Sequence, residues 1–78
     1  MISTIAAADL ADAVKIGWDY SRLLERNPHS PAQLTGTRDD AIARIVALQG
    51  GTANTTNVTA ALEGDATPEA ALTTISAL

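Results

Sequence analysis

Residues 4–26 constrain the fold most. At 100° per residue, Asp12, Lys15, Asp19, Arg22 and Arg26 fall within about 80° of one another, while Ile2, Ile5, Leu10, Ala13, Val14, Ile16, Gly17, Trp18, Tyr20, Leu23 and Leu24 spread over about 220° of the remainder. A 3.6-residue period kept over that length specifies a helix. Ser3 or Thr4 stands where a cap is needed, and Lys15 lies four residues before Asp19 on the same face. Asn27-Pro28 ends the pattern, because proline disfavours helical geometry in the residue before it. An apolar arc of about 220° is roughly twice what packing on one side requires. The helix is therefore either flanked on two sides by its own chain or turns one side to another chain.

Downstream, the signals are those of helix starts and stops. Ser30, Pro31 and Gln33 stand as a cap, a first helical residue and a capping-box partner, which predicts one short turn to Leu34 after the rigid Pro28-His29-Ser30-Pro31 connector. Thr35-Gly36 reads as a break. Thr37 then reads as a second cap, with Asp39 and Asp40 in the first turn of a helix over 38–49 whose face is Ile42, Ile45, Val46 and Gln49, and Gly50-Gly51 as its stop. Thr56 or Asn57 is expected to cap a short helix bearing Val58, Ala61 and Leu62 and closed by Gly64. Thr67 and Pro68 open a last helix running towards Leu78 through Ala71, Leu72 and Ile75. No strand pattern competes, since nothing alternates over five or more residues and aromatic residues number only Trp18 and Tyr20.

Composition excludes several function classes. With no cysteine, disulfides, thiolate metal sites and cysteine nucleophiles are out. Five Lys plus Arg against nine Asp plus Glu gives a net charge of −4, which repels phosphate backbones. No Lys or Arg follows Arg44, and the helix pair at 31–34 and 38–49 offers a DNA groove only Arg38 and Arg44 beside Asp39 and Asp40. No purely apolar run exceeds the four residues of Ile5 to Ala8, far below the ~20 residues that span a bilayer, and the Met1 segment lacks the basic start and long apolar centre of a signal peptide. Charged residues make up 18% of the chain, against about 25% in a typical domain. A 78-residue domain is mostly surface, so a surface this poor in charge points to part of it being covered.

Each chemical constellation has a simpler explanation. His29 is the only histidine, so any triad, acid–base pair or zinc site would have to use it, yet it lies between prolines in a connector. Asp39-Asp40 with Thr37 lacks the spacing of a calcium loop and is explained by helix-start chemistry, so magnesium, calcium and zinc are not expected to bind. Gly50-Gly51-Thr52 lacks the lysine of a phosphate loop, Lys15 being the only one in the chain. Acyl and peptidyl carrier proteins share the length, acidity and helicity, but around His29-Ser30 the glycines of their motif are absent and proline replaces the following aliphatic residue. Asn54-Thr55-Thr56 and Asn57-Val58-Thr59 match the glycosylation pattern in a chain with ten threonines, where such matches arise by chance.

The expectation is thus an all-α fold over residues 1–78, a single small helical domain in which one long N-terminal helix packs with three or four shorter helices. Leu10, Val14 and Trp18 should face the chain's own later helices, because Gly17 and Ser21 on that side allow the close approach a small domain needs. Ile5, Ile16, Tyr20 and Leu23 should meet a second chain. The function expected is a non-enzymatic structural or accessory subunit of a larger protein assembly, homo- or hetero-oligomeric, without cofactor, nucleic acid or membrane. An alanine- and threonine-rich subunit without cysteine suits a virion-type shell as a minor component. The alternative is a small acidic regulatory binder of the antitoxin or inhibitor kind, acting on a basic groove of a protein partner. Interleaving of Asp12 and Asp19 with Lys15, Arg22 and Arg26 weakens that alternative.

Overall fold

A computed structural model of the chain describes residues 4–29 and 31–78, with side chains described from Ala6 onward. Four helices follow one another: α1 (Thr4–Arg26), α2 (Ala32–Leu48), α3 (Thr55–Gly64) and α4 (Pro68–Ser76). No strand occurs among the described residues. At 23 residues, α1 is the longest, and the three shorter helices pack against it. The largest fully buried side chains come from all four: Val14, Ile45, Val58, Leu62 and Ile75. They form a single core with Leu10, Ala13, Ile42, Ala53, Ala61 and Ala71.

Gly17 and Ser21 explain how α1 reaches the middle of that core. A Cβ on Gly17 would lie 2.8 Å from Cδ1 of Leu62, so the absent side chain is the space Leu62 occupies. The notch seen in the sequence is filled by the chain's own α3. Ser21 is buried beside it, and its Oγ has no hydrogen-bond partner among the described residues. Small size rather than hydrogen bonding is what the packing uses at this position.

The second helix corrects two expectations. It runs unbroken from Ala32 through Thr35-Gly36 to Leu48, so there is one helix where a turn and a separate helix were expected. A glycine inside a helix costs only about 1 kcal/mol relative to alanine. The burial of Ala41, Ile42 and Ile45 outweighs it, and nothing lies within 4 Å of where a Gly36 Cβ would be. Thr37 is accordingly no cap: its Oγ1 donates to the Gln33 carbonyl at 2.9 Å, one turn back in the same helix. Asp39 and Asp40 sit in mid-helix rather than in a first turn, and Asp39 pairs with Arg38 at 3.1 Å. Pro31, with φ −58° and ψ 148°, immediately precedes the helix and supplies no side-chain cap. Ser30, the expected cap, lies outside the described residues, as does Ser3.

The stop at Gly50-Gly51 is as the sequence implies. Both glycines have positive φ, 60° and 93°, where side chains with a Cβ are strained. Just before it, Gln49 reaches across to donate from Nε2 to the Ile75 carbonyl at 2.6 Å, joining the ends of α2 and α4. The cap of α3 is Asn54, not Thr56 or Asn57. Its Oδ1 accepts from the Asn57 N–H at 2.9 Å while Asn57 Oδ1 accepts from the Asn54 N–H at 2.8 Å, a reciprocal box built from two asparagines. Both glycosylation-pattern asparagines are thereby engaged in starting a helix. For α4, Thr67 Oγ1 accepts from the Ala70 N–H at 3.1 Å and Pro68 opens the helix, as expected.

Candidate interaction surface

Three sides of α1 behave differently. The first carries Leu10, Ala13, Val14, Gly17 and Ser21 and is buried in the core. The second carries Trp18 and Arg22, which grip the end of α3. Trp18 Nε1 donates to the Asp65 carbonyl at 2.9 Å, and Arg22 Nη2 donates to the Leu62 and Glu63 carbonyls at 2.7 Å each. The guanidinium also lies 5.2 Å from the Trp18 ring centroid. The last carbonyls of a helix have no intrahelical partner and carry its negative dipole end, so a cation there both satisfies and stabilises them. Arg22 falls in the charged stripe of the sequence, but its task is to cap a helix 40 residues away.

The third side faces outward. Among the described large hydrophobic side chains, those classed as exposed are Ile16, at 43%, and Leu23, at 39%, two helical turns apart on one line of α1. Tyr20 between them is half-buried. Of the four residues expected to meet another chain, Ile16 and Leu23 are thus open, Tyr20 is partly open, and the side chain of Ile5 lies outside the described residues. Asp12, Lys15, Asp19 and Arg26 border the patch, and Lys15 meets Asp19 at 3.3 Å.

Along one edge of the patch lies an open cleft of about 450 Å³ between α1 and α2, lined by Asp9, Asp12, Ile16, Thr37, Asp40 and Arg44, among others. Asp9 was not singled out in the sequence, although it interrupts the apolar arc. Here it pairs with Arg44 at 3.0 Å across the two helices. Among the described residues, that pairing leaves Asp12 and Asp40 as the cleft's carboxylates without an ion-pair partner. Among the described residues no three His, Cys, Asp or Glu side chains gather closely enough to hold a metal ion.

His29 is exposed on the connector between α1 and α2, beside Arg26, Asn27, Pro28, Pro31 and Leu34. Among the described residues no helix is long and apolar enough to cross a membrane. No protein-family model matches the chain, and no curated protein or solved structure does.

Proposed function

We propose that the protein is a non-enzymatic structural or accessory subunit that joins a larger protein assembly through the outward side of α1, with Ile16, Tyr20 and Leu23 as its contact residues. The observation that carries this reading is the exposure of Ile16 and Leu23 on one line of a helix whose opposite side is fully packed. A single exposed aliphatic residue is ordinary on a small protein. Two of them two turns apart, with a half-buried tyrosine between, form a continuous strip that a neighbour would cover. Completing the burial of each would contribute about 1 kcal/mol. The low charge content supports the same reading, and the composition makes a minor component of a virion-type shell its more specific form. The regulatory-binder alternative, which needs an acidic face, is less well supported because Asp9 and Asp19 are neutralised by Arg44 and Lys15.

The test is the native size of the chain in extracts of the cells or particles that contain it. The wild type should migrate in a complex well above 8.0 kDa, and the variant carrying Ile16→Asp and Leu23→Asp should migrate as free chain with an unchanged circular dichroism spectrum. Wild-type protein found only as the free 8.0 kDa chain would overturn the proposal.

A further inference from the structure

We infer that the neighbour on this face is a second copy of the same chain, the two α1 helices lying antiparallel across a two-fold axis. This rests on the reading of the outward face as a contact surface and specifies its occupant. Among the described residues neither Asp12 nor Arg26 has an ion-pair partner, and both are exposed. They stand at opposite ends of the patch, separated by about 21 Å of helix at 1.5 Å per residue, with Ile16 and Leu23 between them.

A two-fold axis passing between the two helices, level with the midpoint of Asp19 and Tyr20, sets Ile16 of each copy against Leu23 of the other, because those two residues are equidistant from that level. The same rotation brings Asp12 of each copy to within one residue of Arg26 of the other. Two ion pairs then close the two ends of one apolar strip, and the helix dipoles oppose. A parallel pairing would instead set Asp12 against Asp12 and Arg26 against Arg26. At the axis Asp19 approaches its own image, but each Asp19 already has Lys15 at 3.3 Å, so the centre is neutral.

The face is therefore complementary to itself, as a two-fold interface must be. It is also balanced, Asp12 and Asp19 against Lys15 and Arg26, on a chain whose net charge is −4. Two copies approaching by this helix side therefore meet little net repulsion from α1 itself. One face of a 23-residue helix, roughly 34 Å long, covers well under the ~800 Å² per partner of a standard stable interface. The pairing of isolated chains is accordingly weak, and would be reinforced by other contacts within an assembly.

The absence of cysteine makes cross-linking a clean probe. Purified chain at ~1 mM would be treated with a mild oxidant as Asp19→Cys, as Asp12→Cys, and as Thr74→Cys, an exposed position on α4 that sets the rate of random collision. In the antiparallel pair the thiols at position 19 lie beside each other, whereas those at position 12 are about 22 Å apart along the helix direction and cannot bond. Asp19→Cys should form covalent dimer at least fivefold faster than Thr74→Cys, and Asp12→Cys should do no better than that control. A mixture of Asp12→Cys and Arg26→Cys chains should cross-link one to the other. Faster dimer formation by Asp12→Cys would show parallel pairing and overturn the inference. Cross-linking at the control rate for all variants would overturn it too. In that case a complex in native extracts would mean a different partner on the same face, and free chain in extracts would remove the contact surface itself.

Discussion

The two opposite sides of α1 carry the same kinds of residue and end in opposite environments. Leu10 and Val14 are 3% and 1% exposed, whereas Ile16 and Leu23, on the same helix, are 43% and 39% exposed. What differs is the company of small residues. On the inner side Gly17 lets Leu62 come within van der Waals reach of the α1 backbone, Ser21 is buried one turn on, and α2 and α3 pack against the helix. On the outer side no glycine or serine interrupts the large side chains, and although Ile16 borders the cleft to α2, it and Leu23 stay exposed. Apolar character decides that a helix side can be buried; the notch decides which side this chain buries by itself.

The largest effect expected from this comparison is on the inner side. Leu10→Ala should lower unfolding stability by about 2–4 kcal/mol, read as a lower urea midpoint at unchanged slope. In a domain of this size that is a large share of the total. A loss below about 1 kcal/mol would mean that the inner side is loosely packed and that the contrast between the sides is one of exposure alone.

A smaller effect is expected at the edge between the two sides. Arg22→Met keeps the aliphatic stem but removes both bonds to the α3 carbonyls and the charge at that helix end. Hydrogen bonds from charged donors contribute about 1.5–3 kcal/mol, and the 21% exposure of the Arg22 side chain and its 3.6 Å pairing with Glu25 dilute that. The expected cost is about 1–2 kcal/mol. Hydrogen exchange should rise in α3 before it rises in α1. Equal acceleration in both would show that Arg22 acts on the whole fold and not as the cap of one helix.

Much of this was legible in the sequence, and the reasons for the exceptions are physical. The extent of α1, the stop at Gly50-Gly51 and the Thr67-Pro68 start depend on residues within four positions of one another, and each is where the sequence places it. The break at Thr35-Gly36 failed because local preference there is worth about 1 kcal/mol, less than the burial of Ile42 and Ile45 further along the same helix. With that break went the capping role of Thr37, Asp39 and Asp40. The cap of α3 was displaced because Asn54 and Asn57 bond to each other, a variant of the box in which both partners are asparagine. Asp9–Arg44 and Arg22–Leu62 join residues 35 and 40 apart, and no periodicity within one helix could reveal them. The one available signal was Asp9 itself, a carboxylate inside an otherwise apolar arc.

The smallest stability effect belongs to the outer side, and it is the one that separates burial from association. In dilute solution, at concentrations well below those where copies pair, Ile16→Ala removes a side chain that is already 43% exposed. The lost contacts are partly offset by the better helix propensity of alanine, so the change should stay within about 0.5 kcal/mol. The urea midpoint measured at a few micromolar should therefore match wild type. Raised to ~1 mM, wild type should gain stability, because pairing draws on the folded form only, while Ile16→Ala should gain less. A cost of 2 kcal/mol or more at low concentration would place Ile16 with Leu10 as a core residue. A variant that gains as much stability with concentration as wild type would instead detach Ile16 from association, leaving its exposure an ordinary feature of a small surface.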